Sequence, residues 1–103
     1  MIRPTDESPA QTSLAVLESQ LRQVRTIIGN LRSAIDKERR EIIDHIASAE
    51  LATTDRERDE HRRMAKGARA IMESTQRSLS SHQEFEAATL EAMRGAVTLL
   101  AAE

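Results

Sequence analysis

The stretch LAVLESQLRQVRTIIGNLRSAI, residues 14–35, decides the fold. Its apolar residues Leu14, Leu17, Leu21, Val24, Ile28, Leu31 and Ile35 follow one another at alternating spacings of three and four. That is the heptad pattern of a helix burying one seam against another helix. Carried on to Ala52, the same spacing reaches Glu38, Ile42, His45 and Ala49, so the seam loses apolar character past Ile35. Ile27, Ile43 and Ile46 sit beside it and widen the apolar face, while Arg25, Arg32 and Arg39 recur every seventh residue along one flank. Gly29 costs the helix about 1 kcal/mol relative to Ala, too little to break it.

Working outward, the helix has a legible start. Ser8-Pro9-Ala10-Gln11 places a capping Ser before a Pro at the first helical position, with Gln11 able to reach back as in a capping box. The unpatterned residues ahead of it, 1–8, are expected to form a mobile tail. Past Ala52 come Thr53 and Thr54, two β-branched residues that weaken a helix. Thr54 with Glu57 three residues on is a second capping-box pattern, and Asp55, Glu57, Asp59 and Glu60 suit the positive end of a new helix. The expected architecture is therefore all-α: an antiparallel, coiled-coil-like two-helix hairpin with helix 9–52, a turn near 53–54 and helix 55–102, in a single domain over residues 9–103.

Folding the chain back about Thr53 sets Leu21 opposite Phe85, Ile28 opposite Ser78, Leu31 opposite Thr75, Ile35 opposite Ile71, Ile42 opposite Met64 and Leu14 opposite Ala92. The expected hairpin seam is thus Leu14, Leu17, Leu21, Val24, Ile28, Leu31, Ile35 and Ile42 against Met64, Ile71 and Phe85. Thr75, Ser78, His82 and Thr89 would bury little there, whereas Met72, Leu79, Leu90, Met93, Val97 and Leu100 line up just beside the seam. A two-helix hairpin has only one contact face, so this stripe, with Ile27 and Ile46, is the expected partner or oligomer interface. Small domains are short of buried area, and self-association as a homodimer into a four-helix bundle would supply it.

Composition narrows the function classes. The 103 residues include one aromatic, Phe85, and no Cys, with 31% charged and 39% hydrophobic residues. This profile suits surface-rich helices and provides no disulfide, thiolate nucleophile or thiolate metal ligand. The formal net charge is −2, and no segment is strongly basic. Residues 36–69 balance their basic and acidic side chains, which argues against nucleic acid as a partner despite Arg56, Arg58, Arg62, Arg63, Lys66 and Arg69. The apolar runs are too short for membrane insertion, and the first residues lack a signal-peptide core, so a cytoplasmic location is expected. The excess of Arg over Lys hints at a GC-rich bacterial or phage genome.

Candidate chemistry is sparse. His45 and His61 would face each other near the turn, with Glu41, Asp44, Glu57 and Glu60 close by. They form the one weak candidate metal pair, although zinc sites take three or four converging ligands. The expectation is no metal and no cofactor. His82 falls opposite Val24, where a polar layer could fix register or respond to pH. Glu38 falls opposite Ala68 and is expected to reach solvent. Ser80-Ser81-His82 is merely consecutive on a helix, and the three glycines stand alone, so neither a nucleophilic site nor a phosphate loop is present.

In outline the chain resembles small bacterial helical hairpins such as the secreted WXG-type proteins and type III secretion needle subunits. Their Trp-x-Gly or Pro-containing turn is missing near residues 50–55, and no family membership is read from the sequence. The expected function is a non-enzymatic protein–protein interaction module that self-associates and binds another protein as an adaptor, chaperone-like cap or inhibitor. The alternative is a His/carboxylate metal-binding or pH-responsive bundle.

Overall fold

The computed structural model describes residues 8–102, so the expected tail lies outside the described residues except for Ser8, as does Glu103. Two helices account for nearly all of it: α1, Pro9–Leu51, and α2, Asp55–Ala102. The protein is an all-α helical hairpin.

Both helix starts follow from local chemistry. The Ser8 N–H donates to Gln11 Oε1 at 2.8 Å, and the Gln11 N–H donates to Ser8 Oγ at 3.2 Å. This reciprocal capping box satisfies donors that the first helical turn leaves without partners. At the turn, the Ala52 N–H donates to the Ala49 carbonyl at 3.4 Å, closing α1. Thr54 then caps α2, its Oγ1 accepting the Glu57 N–H at 3.2 Å and its carbonyl accepting the Arg58 N–H at 3.1 Å. Asp55 and Glu57 occupy the first turn of α2, where carboxylates favour the helix dipole.

The described residues group into two compact units. One consists of residues 28–81, which include the turn. Its buried side chains are Ile28, Ile35, Ile42 and Ala49 from α1 and Ala65 from α2. Leu31, Glu38, His45, Arg58, His61, Ala68, Met72, Thr75 and Leu79 are half-buried along the same line. Across the two helices, Thr75 Oγ1 donates to Glu38 Oε1 at 3.0 Å.

The other unit takes residues up to 27 and from 82 onward. Ala10, Leu21, Val24, Thr89 and Ala96 are buried in it, and Leu14, Leu17, His82, Glu86, Leu90, Met93 and Leu100 are half-buried. Thr89 is the buried polar side chain, and its hydroxyl donates to the Phe85 carbonyl of its own helix at 2.9 Å. The Arg25 guanidinium donates to Glu86 at 3.0 Å. With Arg25 more than half exposed, that ion pair adds at most about 1 kcal/mol.

On α1, every expected seam residue is buried or half-buried. On α2 the buried line differs from the expected one. Met64, Ile71 and Phe85, assigned to the seam from the sequence, are 45%, 59% and 50% exposed. Met72, Leu79, Leu90, Met93 and Leu100, assigned to an outside interface, are instead half-buried in the hairpin itself.

The physical reason is side-chain lean. Each Cα–Cβ bond tilts toward the N-terminus of its own helix, and in an antiparallel pair those directions oppose. Beside the turn His45 still meets His61 as a simple fold-back implies, but farther from it a residue of α1 meets one farther along α2 than the fold-back places opposite it. Glu38 illustrates this, reaching Thr75 rather than Ala68. Moving every second member of the expected α2 series on by one residue, a rotation of α2 about its own axis, converts it into the observed one. The two series share Ala68, Thr75, His82, Thr89 and Ala96. They differ in whether Met64, Ile71, Phe85 and Leu99 or Ala65, Met72, Leu79, Met93 and Leu100 fill the alternate layers.

Candidate functional site

Three features of the surface could carry function. The first is what the rotation of α2 leaves outside. Met64, Ile71, Phe85 and Leu99 share one heptad position and are 45–61% exposed, with Ser78 and Ala92 between them. The neighbouring position on the same face holds Gly67, Ser74, Ser81, Ala88, Gly95 and Ala102. From Gly67 to Ala102 these two positions of α2 contain no charged residue. A Cβ built on Gly67, in the unit of residues 28–81, or on Gly95, in the other unit, meets nothing within 4 Å, so there is open space beside each. Of the expected interface residues, Val97, Ile27 and Ile46 remain outside, at 54%, 40% and 42% exposure. The signal for Ile71 and Phe85 is present in the sequence, but their heptad spacing fits an intramolecular seam equally well.

The second feature is the histidine pair. His45 Nδ1 and His61 Nδ1 stand 3.5 Å apart, with ring centroids separated by 5.7 Å. The two rings thus meet beside the turn as their positions in the sequence imply. The surrounding carboxylates do not join them: among the described residues no group of three or more His, Cys, Asp or Glu is placed to hold a metal ion. His82 is half-buried at a seam position in the other unit.

The third feature is not legible as a site in the sequence. Within residues 28–81 a groove of about 480 Å³ is lined by Ile46, Ala49, Glu50, Arg58, Arg62, Ala65, Lys66 and Arg69. It exists because Ala49 and Ala65, both nearly buried, are too small to fill their layer. A second groove, of about 340 Å³, is lined by Arg32, Ile35, Asp36, Arg39, Gln76 and Leu79. Ile35 precedes Ala49, and Leu79 follows Ala65, by two heptads, so the grooves repeat along one flank of the same unit. Two of the cations have local partners: Arg58 bonds Asp55 at 2.8 Å, and Arg39 bonds Asp36 at 3.5 Å. From the sequence these basic residues read as a solvated face with balanced charge.

No helix among the described residues is long and apolar enough to cross a membrane. The architecture and these surfaces define a two-helix hairpin with apolar and basic faces left open. No known protein family, curated protein or solved structure matches the chain.

Proposed function

We propose that this chain is a non-enzymatic interaction module that self-associates through the uncharged face of α2 and binds another protein, in a cytoplasmic setting. The supporting observation is the exposed heptad series Met64, Ile71, Phe85 and Leu99. Single exposed apolar side chains are ordinary on a protein surface. A regular series at one helical position, beside a line of small uncharged residues, is the pattern of a helix that packs against a further helix. The hairpin also has a reason to associate: among the described residues no large side chain is fully buried, so its own core is thin.

Light scattering at micromolar concentration tests this reading. The parent chain is expected to sediment and scatter as a dimer or larger. Ile71→Asp combined with Phe85→Asp should make it monomeric while retaining helicity, because both side chains are exposed in the single chain. A parent that is strictly monomeric and well folded would sink the self-association.

A second reading, a metal-binding or pH-responsive bundle, draws on the contact between His45 and His61. Zinc–nitrogen bonds of about 2.0–2.1 Å at a tetrahedral centre hold two ligand nitrogens roughly 3.3 Å apart, close to the spacing of this pair. Two ligands alone make a weak site, and the expected result is a melting temperature unchanged by zinc. A rise of about 5 °C or more that disappears in His61→Ala would favour the metal reading instead.

A further inference from the structure

We infer that the basic flank of residues 28–81 is a docking groove for an acidic amphipathic helix of a partner protein. This builds on the reading of the chain as a protein-binding hairpin but uses a surface distinct from that proposed for self-association. Arg62 and Arg69 lie two residues before Met64 and Ile71 respectively, which puts them on the opposite flank of the buried line of α2.

Complementarity of charge and shape defines the occupant. The two grooves are lined by six cations, Arg32, Arg39, Arg58, Arg62, Lys66 and Arg69, against the two carboxylates Asp36 and Glu50. The whole chain holds 15 Lys and Arg against 17 Asp and Glu, so the groove linings are richer in cations than the molecule as a whole, with Arg58 and Arg39 already paired to Asp55 and Asp36. The groove floors are apolar, formed by Ala49 and Ala65 with Ile46 in one and by Ile35 and Leu79 in the other. An occupant must therefore present apolar side chains to the floor and negative charge to the rims.

A helix with Leu-like residues on one face and carboxylates on both edges meets that description. Guanidinium groups pair with carboxylates through two parallel N–H donors, which fixes orientation as well as charge. The two-heptad repeat places the groove centres about 21 Å apart along the helices, a span of about four turns of a docked helix. A nucleic-acid backbone would match the cations but leave the apolar floors unused. Residues 28–81 also contain no Phe, Tyr or Trp on which a base could stack.

The test uses the full chain with a fluorescein-labelled synthetic helix of about 18 residues, Leu on one face and Glu on the other, beside its Lys-for-Glu counterpart. The Leu/Glu peptide is expected to bind saturably and to weaken markedly as salt is raised to about 0.5 M. Arg62→Glu with Arg69→Glu, both at exposed positions, should weaken it by about tenfold or more. Ala65→Leu, which fills the larger groove without altering charge, should weaken it comparably, and should that variant fail to fold, the charge-reversal pair decides alone.

Absence of saturable binding at about 100 µM peptide overturns the inference. So does equal binding of the Lys peptide, or indifference to the charge reversal. A short duplex DNA that binds more tightly than the peptide and displaces it would assign the flank to nucleic acid and overturn it as well. The Ile71→Asp, Phe85→Asp monomer should bind the peptide as the parent does, so failure of docking and failure of self-association are read separately.

Discussion

Ile28→Asp and Ile35→Asp are each expected to abolish the helical fold at 25 °C, measured as loss of far-ultraviolet circular dichroism. Ile28 is 4% and Ile35 6% exposed, and both project into the same thin line of apolar side chains. The substitution removes a buried aliphatic group, costing about 2–5 kcal/mol for its transfer and the space it leaves. It also places a carboxylate in the apolar line, and although Arg25, Arg32 and Arg39 lie one turn away they are exposed at the flank, so its desolvation adds further cost unless the residue takes up a proton. Small domains have about 5–15 kcal/mol to lose, and one with so little fully buried volume belongs at the low end. Arg32→Ala, one helical turn from each of them but exposed, is the control and should shift stability by less than about 0.5 kcal/mol. Equal mildness of the charged and control substitutions would mean that the α1 seam is assigned wrongly.

That seam was legible because nothing competes with it. From Leu14 to Ile35 one three-four series is apolar throughout, and the flanking positions hold Glu18, Gln20, Arg25 and Arg32, with Ile27 the one large apolar side chain among them. The helix ends were legible too, since Ser8 with Gln11 and Thr54 ahead of Asp55 and Glu57 have no better use for their side chains than capping. The rotation of α2 was not. Its two overlapping series share every other position, and Met64, Ile71, Phe85 and Leu99 are as apolar as Met72, Leu79, Met93 and Leu100. Hydrophobic content cannot separate them; only the rotation of α2 about its axis does. The surfaces open to partners inherit that ambiguity, because whichever series is left outside becomes the apolar face. The basic grooves were hidden for another reason. They depend on Ala49 and Ala65 lying in one place, and a balanced charge count over residues 36–69 says nothing of how charge is sorted between flanks.

Glu38→Met is expected to stabilise the protein by about 1–2 kcal/mol, raising the melting temperature by roughly 4–8 °C for each kcal/mol. Contrary to the expectation that it reaches solvent, Glu38 lies half-buried, with Oε2 out of contact with solvent and without a hydrogen-bond partner. Its Oε1 accepts from Thr75 Oγ1 at 3.0 Å, and the same hydroxyl stands 3.0 Å from the Ile71 carbonyl. A hydroxyl has one hydrogen to give, so the carboxylate and the carbonyl compete for it. Methionine of similar length would fill the layer and leave Thr75 bonded to its own helix. The gain from removing a poorly satisfied buried carboxylate should then exceed the loss of one shared hydrogen bond. Thr75→Val alone should act in the opposite direction, by about 1–3 kcal/mol, because it strips Glu38 of its partner; the double variant isolates the coupling between the two residues. A lowered melting temperature for Glu38→Met would show the Glu38–Thr75 bond to outweigh the desolvation of the carboxylate. What Glu38 provides in return is register. Thr75 is shared by both α2 series, but the simple fold-back sets it opposite Leu31, and Glu38 meets it only in the observed alignment. The more stable Glu38→Met variant is therefore also expected to be the less uniquely aligned, showing doubled amide resonances from residues beside the seam where the parent shows one set.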